Sequence, residues 1–157
     1  MRSKIARLCT SLSVLFLLIA ISPASAASSH EDLALDAATL AQMEQRAEHA
    51  EAREQAFLYT ELVQAYTQMA GKQMADGDLE HANATLKHLQ HCAAMVHTSL
   101  ARNAKKLKDA EMIMHTATFH LGQYLHLISN EDQELAKSTL HQLNAVHDEI
   151  LAQVFAH

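Results

Sequence analysis

The chain has 157 residues, with 12 Lys plus Arg, 18 Asp plus Glu and 12 His, so its formal charge is −6 with histidine neutral. That length is one domain's worth of sequence, and the acidic balance argues against nucleic acid or an anionic membrane as partner, because both are bound through basic surfaces. Three Gly and one Pro, with few β-branched runs, point to a chain that is helical almost throughout.

The N-terminal stretch reads as a targeting segment rather than as fold. Arg2, Lys4 and Arg7 precede the short apolar run LSVLFLLIAI (12–21), and Ala24-Ser25-Ala26 ends the segment in an A-x-A pattern. These are the three parts of a secretory signal peptide, predicted to span 1–26. The apolar run is shorter than the roughly 20 residues a membrane-spanning helix needs. The residue after the expected cut is Ala27 and not Cys, which argues against a lipid anchor. The expected location is therefore outside the cytoplasm, in the periplasm or the medium, with no transmembrane segment in the mature chain.

Removal of the leader changes the composition. Residues 27–157, 131 in all, keep nine basic and all 18 acidic residues, a formal charge of −9, and they contain no Pro. All 12 His remain, and their full protonation would carry that charge to +3. Histidine titrates near neutrality, so mild acidification changes the sign of the surface. Cys9 leaves with the signal, which makes Cys92 the single mature thiol and excludes an intramolecular disulfide.

The first mature helix is expected from near Glu31, with Ser28 or Ser29 as N-cap and Leu33, Ala37, Leu40, Met43 and Ala47 as its apolar stripe. RAEHAEAREQ (46–55) is polar and predicts a break or bend. A second helix follows to about Ala75, with Leu58, Leu62, Ala65 and Met69 inward. ADGD (75–78) is a turn, Gly77 suiting a helix end and Asp78 the next N-cap. Leu79, Ala82, Leu86, Leu89, Ala93, Val96 and Leu100 then recur in steps of three and four, as do Leu107, Ala110, Met114, Ala117, Leu121, Tyr124 and Ile128. Both series are seams of a bundle or coiled coil. SNED (129–132) is a second turn with Ser129 or Asn130 as cap, and a last helix carries Ala136, Leu140, Leu143, Ile150 and Val154.

The expected fold is thus all-α, an antiparallel bundle of four long helices with a short helix ahead of them, in a single domain over 27–157. The alternative is one central helix of about 50 residues flanked by two shorter ones, since no Gly or Pro interrupts residues 100–107. Charge favours a break there: Arg102, Lys105 and Lys106 suit a helix C-terminus, and Asp109 and Glu111 a new first turn.

One stretch has a familiar form. MADGDLEHANATL (74–86) resembles the turn of a tetratricopeptide-type hairpin, with Gly77, Ala82 and Leu86 at matching places. Gln73 departs from the pattern, which has an aromatic there, and no 34-residue period follows. The resemblance covers one turn and implies a helical hairpin, without a peptide-binding function.

HLQHCAAMVH (88–97) carries the clearest ligand chemistry. His88, His91, Cys92 and Met95 fall at i, i+3, i+4 and i+7, and on a helical wheel they lie nearly opposite the Leu86, Leu89, Ala93 and Val96 seam. Imidazole suits Zn, Cu and Ni, and thiolate with thioether shifts the preference toward Cu(I). One helix rarely closes a coordination sphere, so His115 or Met112 of the next helix would have to complete it. The competing reading is a polar outer face that is simply rich in His. The next helix repeats the arrangement, with Met112, His115, Phe119 and His126 opposite its own seam. His147 differs, falling on the inward stripe between Leu143 and Ile150, where a core-edge histidine is expected to hydrogen-bond a neighbour. Phe57, Tyr59 and Tyr66 at helical spacing read as core.

No phosphate-binding loop, nucleophile elbow or H-E-x-x-H motif is present, and no catalytic residues are expected. The expected role is a non-catalytic interaction or scaffold module, with a protein partner or a second copy of itself. The alternative is a metal-handling bundle that buffers or senses Cu, Zn or Ni. No cofactor is expected besides such a metal.

Overall fold

The computed structural model describes residues 37–100 and 104–156. The expected signal peptide, the Ser28 or Ser29 cap, the helix start near Glu31, Leu33 and Arg102 lie outside them. Among the described residues five α-helices follow in order: α1 (Ala37–His49), α2 (Ala52–Ala75), α3 (Leu79–Leu100), α4 (Leu107–Tyr124) and α5 (Glu134–Phe155), with 3-10 turns at Leu125–Leu127 and Asn130–Asp132. The class is all-α. The long-central-helix alternative is excluded, because α3 ends at Leu100 and a new helix starts at Leu107.

The links follow from their residues. At the α1–α2 corner, Gln55 Nε2 donates to the carbonyls of Ala47 and Glu48, both at 3.3 Å, so a side chain of α2 satisfies two of the carbonyls that α1 leaves open. The α2–α3 turn places Gly77 at φ 75°, a left-handed conformation that glycine adopts without penalty. Asp78 then caps α3, its Oδ1 accepting from the His81 N–H at 3.3 Å.

The α3–α4 link is built differently from the charge reading. Lys105 and Lys106 do not finish α3 but lead into α4, and both are held by the start of α2. The Lys105 N–H donates to Arg53 O at 2.7 Å and Lys105 Nζ reaches Glu54 Oε1 at 3.2 Å. Lys106, left-handed at φ 56°, holds its ammonium 4.3 Å from the Phe57 ring centroid, within cation–π range. The carboxylates and the ring of α2 are what the lysines answer to, not the dipole of α3.

The α4–α5 link also departs from expectation. Ser129 precedes the 3-10 turn and bonds Asp132 Oδ2 at 2.7 Å, whereas α5 begins only after Gln133. Gln133 Nε2 instead donates to Leu125 O and Ile128 O, at 2.8 and 3.1 Å, fastening the end of α4 to the start of α5.

The four long helices form two antiparallel hairpins laid side by side. Helix α2 packs on α3 and α4, and α5 packs on the same two, so α3 and α4 occupy opposite corners. Between hairpins the neighbours run parallel. Lys106 and Tyr124 of α4 meet Phe57 and Gly71 of α2 in the same order along both helices, and His97 and Gln90 of α3 meet Glu149 and Gln142 of α5 likewise. Helix α1 lies on α2, so α2 has three neighbours. That is why α2 buries Leu58, Leu62 and Ala65 together with Tyr59, Val63, Ala70 and Met74, more than a single stripe.

The core is Leu62, Met74, Leu86, Leu89, Met114, Leu121, Leu143 and Ile150, each fully buried and each worth about 1.5–3 kcal/mol of burial. Buried hydroxyls do not disturb it. Thr60, Thr67 and Thr139 each donate to the carbonyl four residues back, and among the described residues no buried side-chain polar atom lacks a partner. No helix among the described residues is long and apolar enough to cross a membrane.

Candidate functional site

The stripe on α3 does not assemble as a set. Cys92 is 1% exposed, and burial pushes its thiol up to about 12, so it stays protonated where a soft metal requires thiolate. This corrects the wheel reading, which set Cys92 on the outer face: the buried arc of α3 is wider than its leucine seam and takes in Thr85, Cys92 and Ser99. Met95 is half-buried and packed against the core. His91 remains exposed. His88 lies flat on the Tyr66 ring, with centroids 5.4 Å apart and planes 14° apart.

The residues around His88 form an anchor for α1. Tyr66 donates its hydroxyl to Glu44 Oε1 at 2.6 Å, and His88 Nδ1 stands 3.9 Å from the same oxygen. Burial first, and the Glu44 hydrogen bond next, raise the Tyr66 pKa well above the ordinary tyrosine value. A protonated phenol and an ionised carboxylate make a short charge-assisted bond that ties α1 to the α2–α3 hairpin. The sequence gives no sign of it, since Glu44 and Tyr66 lie on different helices with unrelated spacing.

A second cluster lies between α4 and α5. His147 is half-buried, and its Nε2 donates to Glu111 Oε1 at 3.1 Å, as expected of a core-edge histidine. The His115 ring, one turn beyond Glu111 on α4, has its centroid 5.6 Å from that of His147. Both imidazoles open into a groove of about 380 Å³ floored by Gly122 and Leu140 and edged by Phe119 and Asn144. Glu111 is the member of this cluster that the wheel did not single out. Its i, i+4 relation to His115 was readable, but its pairing with α5 was not.

Beside the groove, the outer seam of α4 is open to solvent. Met112 is 62% exposed and Phe119 59%. Helix α1 does not cover them, for it packs on α2. Among the described residues no three His, Cys, Asp or Glu stand gathered around a single ion position. Compared with family models, with curated proteins and with solved structures, the chain matches nothing.

Proposed function

We propose that the protein is an exported, non-catalytic interaction module that assembles with a second copy of itself through the outer face of α4. Export is supported by the basic, apolar and A-x-A parts of residues 1–26. The observation that carries the interaction reading is the seam of Met112 and Phe119, two large apolar side chains one face apart from the core of the same helix. Phe119 projects at the rim of a hollow floored by Gly122 and Leu140. A knob beside a hole is self-complementary under two-fold symmetry, because the knob of each copy can meet the hole of the other.

The metal-handling alternative through His88, His91, Cys92 and Met95 has no comparable support, its thiol being buried and protonated. Sedimentation velocity over a wide concentration range tests the proposal. The protein should pass from monomer to dimer, and Met112→Ser/Phe119→Ser should remain monomeric with unchanged helicity. A wild-type protein that stays monomeric throughout, or a dimer indifferent to the double substitution, overturns it.

A further inference from the structure

We propose that Glu111, His115 and His147 form a binding site for one divalent ion of the Zn(II) class at the mouth of the α4–α5 groove. This goes beyond the interaction reading, since all three donors belong to one chain and need no second copy.

The distances already present are close to those a metal imposes. With Zn–N and Zn–O bonds of about 2.0–2.2 Å and tetrahedral angles, two donor atoms on one ion lie roughly 3.3–3.5 Å apart. Glu111 Oε1 and His147 Nε2 are 3.1 Å apart. Two imidazoles bound to the same ion hold their centroids about 5 Å apart by the same geometry; those of His115 and His147 are 5.6 Å apart and tilted by 47°. Glu111 and His115 share one face of α4 at i, i+4, the spacing by which helical residues chelate a single ion.

The donors are not gathered on one point as they stand. His115 supplies the missing movement, because it is exposed and can turn between staggered rotamers. On binding, the neutral His147 ring takes the tautomer with its one proton on Nδ1, which frees Nε2, and an N–metal–O bridge replaces the hydrogen bond to Glu111. The carboxylate offsets one of the ion's two charges. A fourth position faces the groove and is left to water, the arrangement of three protein ligands with one open place. The His88 and His91 side chains play no part.

Titration of Zn(II) into the protein against a chromophoric chelator tests this, with Co(II) absorption reporting tetrahedral geometry. One saturable equivalent is expected, together with a Co(II) d–d band. His115→Ala and His147→Ala should each weaken that equivalent by more than the 10–100-fold that loss of an outer partner costs, and His88→Ala/His91→Ala should leave it unchanged. His115 is exposed, so its variant keeps the test valid if the His147 variant unfolds. Binding that is weak and scales with total histidine overturns the proposal, as does a tight equivalent that survives His115→Ala. The dimer would seat the second copy's Phe119 in the same groove, so the titration is repeated on Met112→Ser/Phe119→Ser, where a missing equivalent overturns the metal site and leaves the dimer to sedimentation.

Discussion

Cys92 lies at 1% exposure in the core, and burial pushes its thiol up to about 12. A buried, protonated thiol reacts only when the helix opens. Cys92 should therefore modify slowly with a disulfide reagent in the native protein and at once in denaturant; equal rates would place it at the surface. A wheel sets Cys92 with His88 and His91 at the margin of the seam, and the buried arc of α3 is wide enough to take it in together with Thr85 and Ser99. Asp78 was easier, since a turn glycine followed by Asp announces a cap, although its side-chain pairing with His81 was not read. Their mutual hydrogen bond holds Asp78 below its ordinary 3.8 and His81 above its ordinary 6.5. The lowered Asp78 stabilises above its unfolded value and loses that as pH falls through its folded one. The raised His81 stabilises below 6.5 and loses that as pH rises through its folded value. Asp78→Ala should thus lose most stability between those limits and progressively less on either side, as thermal melts across pH would show; a loss flat with pH would leave the pair without a role.

At the scale of elements, the apolar periodicity of α2 to α5 was legible, and so were the breaks near 46–55, at Gly77 and between Leu100 and Leu107. What pairs with what was not. Nothing in the spacing says that α4 runs parallel to α2 or that α3 and α4 sit at opposite corners, because seams define inward faces and not neighbours. Gly71 is the residue where that pairing is decided. A Cβ there would overlap the Tyr124 ring, so the glycine lets α2 and α4 approach. Gly71→Ala should cost about 1–3 kcal/mol through overpacking, less about 1 kcal/mol regained in helix propensity. In a Tyr124→Ala background the same substitution should be neutral or stabilising, and the difference measures the contact. Additive effects in that cycle would contradict the α2–α4 pairing. In the same half of α2, Tyr66→Phe removes the Glu44 bond and should destabilise by about 1–2 kcal/mol, with faster amide exchange in α1 than in α3. Uniform acceleration would mean that α1 is not held there.

For the whole molecule, the opposing requirements are apolar contact and charge. Two copies, each with nine basic and 18 acidic residues after residue 26, repel one another, while Met112 and Phe119 favour their contact. Screening shortens the repulsion to a Debye length of about 10 Å at 0.1 M salt, so added salt should strengthen self-association; weakening by salt would mean that ion pairs, and not the seam, hold the copies together. The outer seam was readable in sequence as Met112, His115 and Phe119, while His126, expected on the same helix, lies in the 3-10 turn after it; whether α1 covered the seam was not readable, and that depended on α1 choosing α2. Hydrogen exchange followed at low and at high protein concentration would locate the contact between copies. A dimer built on α4 should slow exchange around Met112 to Gln123 as concentration rises and leave α1 unchanged. Exchange in α4 that is independent of concentration, or new protection appearing in α1 instead, would contradict it.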